Sequence, residues 1–78
     1  MAKLVFLGKL ADVAGAAERT VKPGALADVL ARLPAALAVA LLDERVRVAL
    51  NGELIGHPEA TVLGEGDELA FLPPVSGG

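Results

Sequence analysis

The sequence predicts an α+β domain in which one main helix covers one face of a sheet. Two periodicities and one element order carry this expectation. Residues 45–50, RVRVAL, alternate strictly, with Val46, Val48 and Leu50 on one face and Arg45, Arg47 and Ala49 on the other. A period of two is that of a half-buried strand. Leu26, Val29, Leu30 and Leu33 recur at i, i+3, i+4 and i+7, which is one face of a helix with 3.6 residues per turn. In chain order the patterns run strand, strand, helix, strand, short strand, last strand, the signature of an α+β layer pair.

Each element follows from its residues. Residues 3–7, KLVFL, are a short apolar run of strand formers closed by Gly8. Residues 9–15, KLADVAG, read as a loop or a single helical turn ending at glycine. Residues 18–22, ERTVK, alternate and stop at the turn pair Pro23-Gly24, so the first two strands form a hairpin-like pair. On the helix that follows, Asp28 and Arg32 lie off the apolar face and four apart, a spacing that favours an ion pair. Pro34 ends this helix or starts a new one, and the stretch AALAVALL after it is helical by propensity. The tetrapeptide LADV occurs at 10–13 and 26–29 without a longer register of similarity, so no repeat is read. Asn51-Gly52 is a tight-turn signal, after which ELI resumes the strand pattern. Residues 56–67, GHPEATVLGEGD, read as a long loop. Residues 68–72, ELAFL, are the last strand, and Pro73-Pro74 forbids its continuation. Strand alternation points Leu69 and Phe71 inward and Ala70 and Leu72 outward. The matching faces place Leu4, Phe6, Val21, Leu26, Val29, Leu30, Val46, Val48, Leu69 and Phe71 in the core. The domain is then 1–72, with 73–78 as a C-terminal tail.

Composition bounds the function. A chain of 78 residues is one small domain. With no cysteine it has no disulfide, thiolate nucleophile or zinc-thiolate site, so aliphatic packing must hold it together. Hydrophobic residues make up 54%, nearly all Ala, Leu and Val, with no Trp or Tyr to stack on nucleic-acid bases. A net charge of −3 gives no basic footprint for a phosphate backbone. The late acids Glu59, Glu65, Asp67 and Glu68 suit a basic partner better than an acidic one. The longest apolar run, residues 33–42, contains a proline and is too short for a membrane span. No basic segment precedes an apolar one as in a secretion signal. The expectation is a cytoplasmic protein with neither nucleic acid nor membrane as partner.

The side chains offer little chemistry. His57 is the only histidine and stands in the loop without a second ligand or base. The carboxylate pairs Asp43-Glu44 and Asp67-Glu68 are sequence neighbours that point different ways, which reads as turn and solvent-face charge. The run 64–67, GEGD, does not lead from a strand into a helix, so a phosphate-binding loop is a weak reading. Ser76 has no neighbouring histidine. No self-contained active site, metal site or bound cofactor is expected.

The ending FLPPVSGG carries more. Residues 73–78 can extend to about 20 Å. Two prolines stiffen the base of that arm, and two glycines at its tip pass through a channel too narrow for a Cβ. No side chain there anchors to the domain, so residues 75–78 are expected to be poorly ordered in the free protein and ordered in a complex. The working group is then the carboxylate of Gly78. It is a poor electrophile alone, but joined to AMP it is a mixed anhydride open to attack at the terminal carbonyl. Displacement of AMP by sulfide leaves a thiocarboxylate.

The run 66–78, GDELAFLPPVSGG, closely resembles the C-terminus of molybdopterin synthase small subunits, the MoaD/ThiS sulfur-carrier family. The opening KLVFLGKLADVAG resembles that family's first strand and loop, and VALNGELI its middle strand and turn, so the similarity spans the chain. The resemblance implies a ubiquitin-like β-grasp, a mixed sheet packed on one main helix with a flexible C-terminal Gly-Gly tail. It implies that Gly78 is adenylated by a MoeB-like activating enzyme that uses ATP, converted to a thiocarboxylate, and inserted into a MoaE-like large subunit. Sulfur then passes to cyclic pyranopterin monophosphate in molybdenum cofactor biosynthesis. The chain is expected to be not catalytic alone, since the large subunit supplies the catalytic side chains. Partner contacts are expected from Leu72, Pro73, Pro74, Val75, Ser76 and Gly77, with Val5 and Leu7 completing an apolar patch at the tail root. Ala11 stands where relatives often carry arginine, with Lys9 nearby. Three alternatives stay open: a sulfur carrier of the same fold for thiamine, cysteine or tRNA thiolation, a ubiquitin-like modifier conjugated to lysines through Gly78, and a small interaction domain with an idle tail.

Overall fold

Strand β1 (Ala2–Phe6) alternates buried and half-buried positions, with Ala2, Leu4 and Phe6 inward. The structure is a computed structural model and describes residues 1–74. Gly8, at φ 54° and ψ −133°, turns the chain out of β1 into α1 (Lys9–Ala14), a backbone shape that residues with a Cβ rarely adopt. The stretch read as a loop or a single turn is thus a short helix. It buries Leu10 and stops at Gly15, whose N–H donates to the Ala11 carbonyl from the left-handed region. Strand β2 (Glu18–Val21) returns antiparallel to β1, the expected hairpin-like pair.

After β3 (Gly24–Ala25) come two helices, α2 (Leu26–Ala31) and α3 (Ala35–Leu41). The apolar stripe Leu26, Val29, Leu30 and Leu33 falls on α2 and the link after it, and the AALAVALL stretch forms the second helix. Pro34 does both things open to it, ending one helix and capping the next, because it lacks the N–H that an uninterrupted helix needs. Leu26, Val29 and Leu30 of α2, Leu33 of the link, and Leu37 and Leu41 of α3 are all buried. No ion pair joins Asp28 to Arg32 among the described residues; α2 ends at Ala31, and an exposed pair gains too little to hold two long side chains together.

The remaining strands are β4 (Arg47–Leu50), β5 (Glu53–Ile55), β6 (Val62–Leu63) and β7 (Glu68–Leu72). The tight turn at Asn51-Gly52 has φ of 51° and 86°, the twist that suits a two-residue hairpin. The main sheet has the order β2-β1-β7-β4-β5. Its β1–β7 pair is parallel and its other pairs are antiparallel, so the sheet is mixed, as expected. The region read as a long loop holds a 3-10 turn (Pro58–Ala60) and β6, which pairs antiparallel with β3. That two-strand sheet was not legible because two residues are too few to display a period. It buries Leu63.

Of the ten expected core residues, Val21 alone is only half-buried. It sits on an edge strand and is covered from one side. At the centre, Phe6 and Phe71 lie opposite each other in register, rings stacked with centroids 5.8 Å apart and planes 12° apart. Phe71→Ala should cost about 3–5 kcal/mol, a large part of the roughly 5–15 kcal/mol that holds a domain together. Urea denaturation of the two proteins measures this; a loss under about 1 kcal/mol would show that the aromatic pair is not the centre of the core.

Candidate functional site

The site is built where β7 ends. The Leu7 N–H donates to the Phe71 carbonyl at 3.1 Å, and beyond Leu72 the chain meets two prolines that have no N–H to extend the ladder. Pro73 passes so close to Gly8 that a Cβ there would lie 3.1 Å from the proline Cγ. The same glycine that turns β1 into α1 therefore leaves room for the root of the tail. Pro73 and Pro74 are half-buried against the domain. Val75, Ser76, Gly77 and Gly78, with the expectation about their order, lie outside the described residues.

On the sheet face away from the helices, register defines a continuous apolar row. Val5 lies opposite Ala70, Ala70 opposite Ala49, and Ala49 opposite Leu54. Leu72 lies opposite Arg47, while its neighbours Leu69 and Phe71 are buried. The strand alternation read from ELAFL thus places Leu72 outward. Leu7 and Leu54 are 41% and 62% exposed. Leu54 is the member that sequence reasoning missed. The signal was present: a two-residue turn at Asn51-Gly52 pairs Leu50 with Glu53, and hence Ala49 with Leu54.

On the helix side, a groove of about 1040 Å³ runs between the α2 and α3 ends and the 3-10 turn, with Pro73 and Pro74 at its margin. Lys9, Arg45 and Arg47 also line it. Arg45 is held by Asp43, with Nη2 donating to Oδ2 at 2.9 Å, Nε to Oδ1 at 3.2 Å and its backbone N–H to Oδ1 at 2.9 Å. These bonds to the ionised form, the side-chain ones foremost, hold the Asp43 carboxyl down to about 2.

The other polar residues have structural work. Asp67 accepts from the Gly64 N–H at 2.8 Å and from Asn51 Nδ2 at 3.1 Å, which lower its pKa in that order. The GEGD run is therefore a turn closed by its own aspartate and tied to the β4–β5 turn. Asn51 completes the tie by accepting the Glu68 N–H at 2.9 Å. Glu59 is lowered by its own backbone N–H and then by His57, whose Nδ1 lies 3.3 Å away on the open surface. Among the described residues there is no buried polar or charged side chain and no cluster suited to a metal ion. No helix described is long and apolar enough to cross a membrane.

Residues 4–78 match the ThiS family. The chain belongs to that family. A molybdopterin synthase sulfur carrier subunit from Chlamydomonas reinhardtii is 37% identical over 82 residues, covering 97% of this chain and 96% of the relative. SAMP1, a small archaeal modifier protein, from Haloferax volcanii is 34% identical with a TM-score of 0.69, over 99% of this chain and 98% of the other. Urm1 from Sulfolobus solfataricus, at 20% identity and a TM-score of 0.73 over 91% and 97% of the two chains, shares the fold. The family and the ubiquitin-like β-grasp expected from the resemblance are both borne out.

One consequence is measurable in acid. Because the Asp43 pKa is lower in the folded chain than its ordinary 3.8, its stabilising pair is present above that value and fades as pH falls towards about 2. The Asp43 carboxyl followed by NMR should titrate near 2 and move back towards 3.8 in Arg45→Ala. A wild-type midpoint already at 3.8 would mean that the clamp does not form in solution.

Proposed function

We propose that this ThiS-family chain is the sulfur-carrier small subunit of a molybdopterin synthase. The observation that carries the proposal is the run Pro-Pro-Val-Ser-Gly-Gly that follows the central strand β7. The curated relative named as a molybdopterin synthase sulfur carrier subunit, similar over nearly its full length, supports the same reading. The Gly78 carboxylate attacks the α-phosphate of ATP on a MoeB-like enzyme and expels pyrophosphate. The acyl adenylate is then attacked by a sulfide equivalent. A C–S bond forms, the C–O bond to AMP breaks, and AMP leaves. The thiocarboxylate enters a MoaE-like large subunit and gives its sulfur to cyclic pyranopterin monophosphate. Val5, Leu7 and Leu72 form the docking patch, and residues 73–77 are the arm. The modifier reading is the second one, favoured by the 34% identity to SAMP1 across both chains; there a lysine amine replaces sulfide at the same adenylate.

Incubation with ATP, the activating enzyme and a sulfide source should raise the intact mass by the difference between sulfur and oxygen. Deleting Gly78 should abolish that change and leave the melting temperature unaltered. Product formation by the truncated chain would remove Gly78 as the carrier. Adducts on protein lysines, without a thiocarboxylate, would support the modifier reading instead.

Leu72→Glu should keep the fold and weaken both complexes by about one to two decades, since burying a leucine is worth roughly 1.5–3 kcal/mol and the glutamate would bring an unpaired charge into the contact. Calorimetric titration against each partner measures it, with thermal melts as control. Unchanged affinity would make Leu72 an ordinary surface residue.

A further inference from the structure

We infer that the crevice between the edge strand β2 and the end of α2 is a second docking site, fitted to an extended acidic peptide with an apolar side chain at its centre. Strand β2 is outermost in the five-stranded sheet, and its ladder partner is β1. Its far side therefore presents backbone donors and acceptors to which a further strand can add. Register sets what such a strand would meet. Val21 lies opposite Ala2 and Arg19 opposite Leu4, so both belong to the helix-facing side, whereas Thr20 and Glu18 face away with Lys3 and Val5.

On the helix-facing side lies a crevice of about 360 Å³, at the small end of the range for ligand sites. Val21, Val29 and Leu33 give it an apolar floor, and Arg19, Lys22 and Arg32 line it from β2 and the end of α2. None of these three cations is in an ion pair among the described residues. Glu18 and Glu68 lie instead by Lys3, whose Nζ is 3.8 Å from Glu18 and 4.0 Å from Glu68. Three of the chain's seven Lys and Arg thus gather round one crevice in a protein of net charge −3. With three cations at its rim and no acid among its lining residues, the crevice is complementary to negative charge.

These features select one occupant. A peptide pairing with the β2 edge sends alternate side chains towards the crevice. A central valine or leucine would meet Val21, Val29 and Leu33, while flanking carboxylates would meet Arg19, Lys22 and Arg32. The opposite edge, β5, is three residues long and carries Glu53, so it lacks this charge. The β2 crevice is separated from the tail root on β7 by β1.

The test is a titration of the full ¹⁵N-labelled chain with a capped peptide of valines flanked by aspartates, followed by heteronuclear NMR. Saturable shifts should map to residues 18–22 and 29–33. Arg19→Glu and Arg32→Glu should each weaken binding by about tenfold or more without changing the melting temperature, and affinity should fall with added salt. The same peptide with lysines in place of the aspartates should not bind. No saturable shifts at millimolar peptide, shifts centred on β5 or on the groove at Pro73, or equal binding of the lysine peptide would each overturn the assignment. So would concentration-dependent shifts at residues 18–22 in the peptide-free chain, which would mean that a second copy occupies the edge.

Discussion

The parallel pairing of β1 with β7 is the constraint on which the rest depends. It joins the first strand of the chain to the last, from Lys3 opposite Glu68 to Phe6 opposite Phe71. Parallel neighbours cannot be linked by a tight turn, so everything between them is in effect one long crossover. That crossover supplies the helices that cover one face and the strands that flank the pair. Leu4 and Leu69, opposite each other in this ladder, are fully buried. The geometry also delivers the last described residues to the middle of a sheet and not to a fraying edge. Pro73 leaves the domain beside Gly8, held by the strand before it and the glycine after β1.

The two sheet faces then divide their tasks. The helix face is closed by aliphatic side chains without a buried polar group among the described residues, as a small chain without disulfides requires. The open face carries a row of modest apolar residues from Val5 through Ala70 and Ala49 to Leu54, with Leu72 beside Arg47. Alanines occupy the centre of that row. Polar side chains are spent on turns: Asp67 and Asn51 tie two loops together, and Asp43 holds Arg45.

Much of this was legible in the residues. The alternation of RVRVAL and ELAFL and the 3.6-residue spacing of Leu26, Val29 and Leu30 depend on local backbone geometry, so sequence alone determined which faces are buried and that the fold is α+β. The proline pair and terminal glycines, read with the family resemblance, marked the tail. Tertiary structure decided what depends on contacts distant in sequence. It decided that Pro34 separates two helices, and it buried Leu37 and Leu41 of the second beside Leu33 of the link. It paired Gly24–Ala25 with Val62–Leu63, two strands too short to show a period but stabilised by each other. It left Val21 half-covered, since no pattern in ERTV says that β2 is an edge. It also gathered Arg19, Lys22 and Arg32 round one crevice, a charge arrangement set by packing a strand edge against a helix end.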